Sequence, residues 1–128
     1  MRLLLDTHVF LWAAADPDRL GKARDLVADR GTTRVLSAAS AWEIAIKHRL
    51  DKLPLPEPPA DYVPMAMRRL VVEALPIGHV HALQVGTLPD HHRDPFDRLL
   101  VAQAQLEDLT ILTADHTIGD YAVEAIIL

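Results

Sequence analysis

Short apolar runs alternate along this chain with longer stretches in which apolar residues recur at helical spacing. Leu3-Leu4-Leu5 is uniformly apolar, which is typical of a strand buried on both faces. The pattern predicts strands at residues 3–5, 34–37, 71–75, 110–113 and 122–128, and helices at residues 20–30, 40–50, 62–70, 79–86 and 94–106. This alternation predicts an α/β fold, a three-layer α/β/α sandwich with a mostly parallel central sheet.

The length and the spacing of the predicted elements indicate one domain. The chain has 128 residues, and half of them are hydrophobic, so it can form its own core. Five of the nine prolines lie between residues 54 and 64, which predicts a rigid extended loop. Neither flank of that loop has enough elements for a separate core. We therefore expect a single domain over residues 1–128.

Composition excludes several classes of protein. The absence of cysteine excludes a disulfide framework, a thiolate metal site and a cysteine nucleophile. The net charge of −5 provides no global positive field for nucleic acid. Asp6 comes too early for a signal peptide, and no uncharged run approaches the roughly 18 apolar residues of a membrane span. We expect a soluble, cytoplasmic protein that does not contact membranes.

Four acidic residues fall at or just beyond the predicted carboxyl ends of strands, where α/β proteins place their functional groups. These residues are Asp6, Glu43, Asp97 and Asp115. Carboxylates gathered at one edge repel each other unless a cation neutralises them, and an all-oxygen site suits Mg²⁺ or Mn²⁺. Such an ion can activate water and stabilise charge on a phosphoryl centre. The sequence therefore predicts a divalent-metal site for phosphoryl chemistry.

Helix capping is the alternative explanation for three of these acids. Ser40 and Glu43 have the spacing of a capping box, with Ser40 as N-cap. Asp94 precedes Pro95 as an N-cap and places Asp97 in the first helical turn, and Asp115 could cap the next turn. Asp6 follows a buried strand and has no comparable role in a cap. The joint placement of all four acids favours a functional site.

The histidines support no zinc site. His79 and His81 are two residues apart, so they point to different helix faces, and no predicted helix offers two histidines four residues apart with an acidic third ligand. The pair His91 and His92 has the same shortcoming. We interpret these four as surface or loop residues. His8 lies close enough to Asp6 to neighbour the acidic site. The chain also has no glycine-rich phosphate loop and no Gly-x-Ser-x-Gly motif.

Four segments resemble the VapC-type toxins of the PIN-domain ribonucleases. They are LLLDTHVFLW at residues 3–12, SAASAWEIAIK at 37–47, HRDPFDRLLVAQA at 92–104 and TAD at 113–115. The resemblance implies an α/β/α sandwich and an endoribonuclease that depends on Mg²⁺ or Mn²⁺ and leaves 5′-phosphate and 3′-hydroxyl ends. It also implies a toxin–antitoxin pair, inhibition by a cognate antitoxin protein, and a homodimer.

Carried over position by position, the resemblance places the catalytic and metal-binding site on Asp6, Glu43, Asp97 and Asp115. Thr7, Ser40 and Thr113 would lie beside it, and Asp94 is an extra acid that we assign mainly to the helix cap. Because the protein is acidic, RNA needs a local basic rim, for which Arg93, Arg98 and Lys47 are the main candidates and Arg49, Arg68 and Arg69 are further ones. Trp12 and Trp42 either stack on bases or, as we favour, pack in the core or a dimer interface.

Three other functions remain as alternatives. A haloacid-dehalogenase-like phosphatase needs an Asp-x-Asp pair after the first strand, whereas this chain has His8 at the second position. A phosphoacceptor of the response-receiver kind needs a late lysine, and no lysine follows Lys52. A catalytically degenerate PIN-like domain that serves as a binding module is the third alternative, which the four acids disfavour.

Overall fold

The computed structural model describes all residues, Met1–Leu128, around one parallel sheet. Its strands are β1 (Arg2–Leu5), β2 (Thr33–Ser37), β3 (Val72–Leu75), β4 (Thr110–Thr113) and β5 (Ala125–Ile127). The strand order is β3-β2-β1-β4-β5, and every neighbouring pair is parallel. The predicted α/β sandwich is confirmed, with a sheet that is wholly rather than mostly parallel.

Six α-helices cover the sheet. They are α1 (Thr7–Ala15), α2 (Arg24–Ala28), α3 (Ala38–Arg49), α4 (Pro59–Leu70), α5 (His79–Gln84) and α6 (Pro95–Glu107). Short 3₁₀ segments occupy Pro17–Ala23, Val85–Thr87 and His116–Asp120. None of the helices combines the length and the apolar character that a membrane span requires.

Alternation along β1 divides the core into two layers. Leu3 and Leu5 pack into one cluster with Phe10 of α1, whereas Leu4 packs into a second cluster with Leu100 of α6. All three leucines of the strand are completely buried. Successive side chains of a strand point to opposite faces, so this uniformly apolar run is what a sheet covered on both faces requires.

The strand order determines where a site can form. The chain runs from β1 outward through β2 to β3 and then returns to place β4 on the other side of β1. In open parallel sheets a crevice forms at the carboxyl ends of the strands where the direction of winding reverses. Asp6 lies at this crevice, and its backbone N–H donates to the Leu112 carbonyl of β4 at 3.0 Å.

Two helix starts differ from the sequence predictions. The helix predicted to begin at Ser40 begins at Ala38, and its N-cap is Ser37, which accepts a hydrogen bond from the Ala39 N–H. The predicted capping box was therefore wrong. Helix α1 was not predicted, and Asp6 is its N-cap, accepting from the His8 N–H at 2.9 Å. Asp6 thus has the cap role that the sequence analysis denied it.

Three other boundaries differ from the sequence predictions. The stretch at residues 20–30 is not one helix, because Gly21 has φ of 54° and interrupts it. Helix α4 begins at Pro59, so the proline-rich loop is shorter than residues 54–64. The last strand covers Ala125–Ile127 rather than residues 122–128.

Candidate acidic active site

The four predicted acids line one pocket at the carboxyl ends of β1 and β4. Its volume is about 340 Å³, and its walls are formed by Asp6, His8, Trp12, Glu43, Lys47, His92, Asp94, Asp97, Ala114 and Asp115. Most of these residues are polar or charged. The strand-end placement inferred from the sequence therefore does bring the carboxylates together.

Asp6 is fixed by two hydrogen bonds. Besides the His8 N–H, its carboxylate accepts from the Thr113 hydroxyl at 2.6 Å, which joins the end of β1 to the end of β4. The side chain is buried, and burial raises the pKa of Asp6 although both hydrogen bonds act in the opposite direction. A cation in the pocket would relieve this unfavourable burial of charge.

Glu43 faces the pocket from the first half of α3. Its Oε1 accepts from the Thr7 hydroxyl at 2.7 Å, and the Ser40 hydroxyl lies 2.9 Å from that of Thr7. Its Oε2 pairs with Lys47 one helical turn later, and this contact raises the pKa of the Lys47 ammonium. Thr7 and Ser40 therefore stand beside the site, as predicted, and orient Glu43.

Asp94 and Asp97, at the start of α6, have different roles. Asp94 accepts from the Phe96 N–H at 2.8 Å and from the Asp97 N–H at 3.4 Å, which confirms it as the helix N-cap, although it also lines the pocket. The Asp97 carboxylate takes no part in the cap. Burial, followed by the charges of Asp6 and Asp94, raises the pKa of Asp97 to about 7.

Asp115 caps the 3₁₀ segment that follows β4 and still faces the pocket. Its Oδ1 accepts from the Thr117 N–H at 2.9 Å, as the capping alternative predicted. Its Oδ2 lies 2.6 Å from Nε2 of His92. Although partial burial acts to raise it, the pKa of Asp115 is lowered by the His92 and Thr117 hydrogen bonds. Capping and site formation are therefore compatible in one residue.

His92 is the site residue that the sequence analysis missed. Its Nε2 lies 3.1 Å from Asp97 and 2.6 Å from Asp115, so the imidazole belongs to the pocket rather than to an outer surface. Burial lowers the pKa of His92, but its hydrogen bond to Asp115 and the surrounding carboxylates raise it overall. The position of His92 in the sequence could have indicated this role, because residues just before α6 lie at the same sheet edge as the first turn of α6.

The other histidines divide between surface and core. His8 and His91 are exposed, whereas His81 is buried, so its predicted surface or loop location was wrong. His81 Nδ1 accepts from the Gly78 N–H at 2.9 Å, and its Nε2 lies 2.9 Å from Glu107. This contact ties α5 to α6 away from the acidic pocket.

The candidate basic residues are not equivalent. Lys47 lines the pocket. Arg93 is exposed and lies in sequence between His92 and Asp94, which both line the pocket. Arg98 instead turns inward and donates to the carbonyls of Val85, Leu88, Pro89 and His92 and to the Tyr121 hydroxyl. Arg69 donates to the Ala14 carbonyl at the far end of α1. The geometry gives Arg98 and Arg69 structural roles, which disfavours them as RNA contacts.

Removing the guanidinium of Arg98 should destabilise the fold. We expect Arg98→Ala to lower the free energy of unfolding by about 2–4 kcal/mol, because it leaves several carbonyls of residues 85–92 without a donor. Arg98→Lys should recover little, since an ammonium cannot reproduce the guanidinium geometry. Urea unfolding measures both, with Arg93→Ala as the matched control. Equal stability of the Arg98→Ala and Arg93→Ala variants would contradict this structural role.

The two tryptophans differ in environment. Trp12 forms part of the pocket wall. Its ring stacks with His8 at 6.1 Å between ring centroids, and the Arg19 guanidinium covers it at 4.4 Å from the centroid. Trp42 is 56% exposed and packs edge-on against Phe96. Trp42 is thus outside the core of this chain, which leaves base stacking or a dimer interface as its predicted roles.

The fold and the acidic pocket define a class of protein. The chain belongs to the PIN domain family, whose sequence profile matches residues 3–124. A relative from Mycobacterium tuberculosis, named Ribonuclease VapC16, is 52% identical over 64 residues, which are 50% of this chain and 45% of that protein. The match thus spans less than half the length of that relative. The resemblance to VapC-type PIN proteins inferred from the sequence is confirmed.

Solved structures share the whole fold at low sequence identity. The VapBC2 structure from Rickettsia felis, described as bound to a DNA fragment from its promoter, has a chain that aligns with a TM-score of 0.74 at 17% identity, covering 99% of this chain and 98% of that one. VapBC-1 from nontypeable Haemophilus influenzae aligns with a TM-score of 0.66 at 15% identity, covering 99% and 98%. These similarities establish the three-layer architecture.

Proposed function

We propose that this chain is a divalent-metal-dependent endoribonuclease and the toxin of a toxin–antitoxin pair. The observation that carries the proposal is the convergence of Asp6, Glu43, Asp97 and Asp115 on one pocket of about 340 Å³. Membership of the PIN family and the name of the M. tuberculosis relative support an RNA phosphodiester as the substrate. The proposed unit is a single domain over residues 1–128.

The donor set of the pocket fits Mg²⁺ or Mn²⁺. It presents carboxylate oxygens, which hard divalent cations prefer, and no thiolate. Burial is the main cause of the raised pKa values of Asp6 and Asp97, and the neighbouring carboxylates add to it, so a cation bound there would favour the ionised forms of both. We assign Asp6 and Asp97 as direct ligands, Asp115 as a ligand directly or through water, and Glu43 as a ligand or as the group that orients the attacking water. When bound, the ion would stabilise the charge that develops on the phosphodiester.

The surrounding residues keep these carboxylates in place. Thr113 holds Asp6, and Thr7 holds Glu43 with its proton directed at Oε1. Lys47 neutralises Glu43 at the pocket wall and is placed to contact the RNA backbone there, and exposed Arg93, between the pocket residues His92 and Asp94, is the second candidate. Hydrolysis in this arrangement would leave 5′-phosphate and 3′-hydroxyl ends, as the resemblance implies.

The proposed partners are an antitoxin protein and a second copy of the chain. The structural neighbours are VapBC proteins, and an acidic pocket is well suited to accept a guanidinium group from an inhibitor. Exposed Trp42, which packs against Phe96 at the start of α6, offers apolar area for either partner. A cytoplasmic location fits an activity directed at RNA.

A calorimetric Mn²⁺ titration of chelator-stripped protein tests the metal site without knowledge of the RNA target. We expect saturable binding by the wild-type protein and binding at least about tenfold weaker in Asp97→Asn, because this change removes one charged ligand from a buried site. Asp120→Asn, which alters an exposed acid outside the pocket, should bind Mn²⁺ like the wild type.

Absence of binding at millimolar Mn²⁺, even with a phosphodiester analogue present, would contradict the proposal. The carboxylates would then act mainly as caps and hydrogen-bond acceptors, and the degenerate binding module would become the better assignment. Binding that is indifferent to Asp97 would instead remove Asp97 from the ligand set.

A further inference from the structure

His92 connects two carboxylates that come from different parts of the fold. Asp97 belongs to the start of α6, and Asp115 follows the end of β4. The Nε2 atom of His92 lies 2.6 Å from Oδ2 of Asp115 and 3.1 Å from Oδ2 of Asp97. Two ionised carboxylates cannot hydrogen-bond to each other, whereas an Nε2–H placed between them can donate to both and join them.

A hydrogen bond to the other nitrogen of the imidazole indicates which nitrogen carries the ring proton. The backbone N–H of Asp94 donates to Nδ1 of His92 at 3.0 Å. Nδ1 therefore presents its lone pair, and the proton of the neutral ring is on Nε2, where it can be shared by the two carboxylates. The imidazole is oriented as a donor towards the pocket.

Groups that do not line the pocket hold the backbone of His92. Its N–H donates to the Tyr121 hydroxyl oxygen at 2.8 Å, and its carbonyl accepts from Arg98 at 3.5 Å. Arg98 also donates to the Tyr121 hydroxyl oxygen at 3.2 Å, and Tyr121 is itself buried. The ring is thus fixed by the buried contacts of its loop as well as by the carboxylates.

We propose that His92 is a positioning residue, whose Nε2–H fixes the carboxylates of Asp97 and Asp115 for the divalent cation. The inference rests on the proposed function in that the carboxylates hold a metal. Coordination by Nε2 itself would require the ring proton to move to Nδ1, where it would face the Asp94 N–H, donor against donor. The imidazole therefore acts through the two carboxylates.

Metal affinity of matched variants tests this role. His92→Phe keeps a planar ring without a donor, whereas His92→Gln offers an amide N–H of similar reach. We expect His92→Phe to weaken Mn²⁺ binding by about 10–100-fold, as for other groups that orient metal ligands, and His92→Gln to stay within severalfold of the wild type. His116→Phe, at an exposed histidine, is the control. Tyr121→Phe, which removes the acceptor of the His92 N–H, should give an intermediate loss.

Nitrogen NMR of labelled histidine reads the tautomer directly. We expect the His92 proton on Nε2 in metal-free protein and still on Nε2 after addition of Mg²⁺. Loss of that proton on Mg²⁺ binding, a metal-free ring protonated at Nδ1 alone, or unweakened Mn²⁺ binding in His92→Phe would each overturn the inference. Failure of the wild-type protein to bind metal would contradict the proposed function, and the metal-free spectrum would still decide the tautomer.

Discussion

Asp6→Asn is expected to reduce cleavage of RNA by at least about 100-fold, which corresponds to about 2.7 kcal/mol in activation free energy. Asp6 is a buried member of the proposed ligand set, at the end of the central strand and between α1 and β4. The amide of Asn is a poor ligand for a hard cation compared with a carboxylate. The rate of cleavage of a mixed-sequence RNA pool, measured with Mg²⁺ and with Mn²⁺, checks the prediction.

The fold should survive this change. Asn is as good an N-cap as Asp, so the hydrogen bond from the His8 N–H can be retained. The Thr113 hydroxyl can rotate to accept from the Asn amide instead of donating to a carboxylate. Circular dichroism should therefore match the wild type, thermal unfolding should show a variant at least as stable because the pKa of Asp6 is raised by burial, and Asp120→Asn should keep full activity. Full activity of a folded Asp6→Asn variant would refute the site assignment.

Asp97→Asn is expected to stabilise the metal-free protein at neutral and alkaline pH. The pKa of Asp97 is about 7 in the folded chain against 3.8 for an ordinary aspartate. Between these two values the folded state holds a proton that the unfolded state has released, so stability falls as pH rises, by up to about 1.4 kcal/mol per pH unit. Above pH 7 the folded state bears the whole cost of keeping Asp97 ionised in the pocket. Asn does not titrate and avoids this penalty.

Urea unfolding in chelator at a series of pH values measures this difference. Asp97→Asn should unfold with nearly the same free energy as the wild type at pH 4 and with about 1–4 kcal/mol more at pH 8. Added Mn²⁺ should narrow the difference at pH 8, because the wild type gains more binding energy from its intact site than the variant does. A difference between the two proteins that does not vary with pH would show that Asp97 ionises normally in the folded chain.

The strands could be predicted because their sequences have few alternatives. Leu3–Leu5 is apolar throughout, and residues 110–113 have Ile111 and Leu112 between two β-branched threonines, which suits short strands in a sheet covered on both faces. Helix α1 escaped prediction because its buried residues lie around most of its circumference and leave no amphipathic stripe. Ser37 and Ser40 are equally good caps by type. Strand β2 decided between them, since its pairing with β3 continues to Ser37 and the chain then turns directly into α3.

The four acids could be predicted from strand ends, but their hydrogen-bond partners could not. Thr113 and Asp6 are 107 residues apart, and sequence spacing carries no information on such a contact. His92 was missed because metal-ligand spacing on a single helix was the criterion, whereas this histidine contacts carboxylates from two separate elements. Arg98 resembled an RNA contact because its direction, into the loop at residues 85–92, depends on tertiary packing.

The order of the strands means that the pocket can form only after most of the chain has been synthesised. A nascent chain that has completed α3 already carries Asp6 and Glu43, but the neighbour of β1 on the other side, β4, begins only at Thr110. Until β4 has left the ribosome and paired with β1, Asp6 lacks its Thr113 partner and Asp115 does not exist. Contacts of such long sequence separation form late in folding. Under the proposed function, the growing chain would therefore lack a complete site for cleaving the messenger RNA that encodes it.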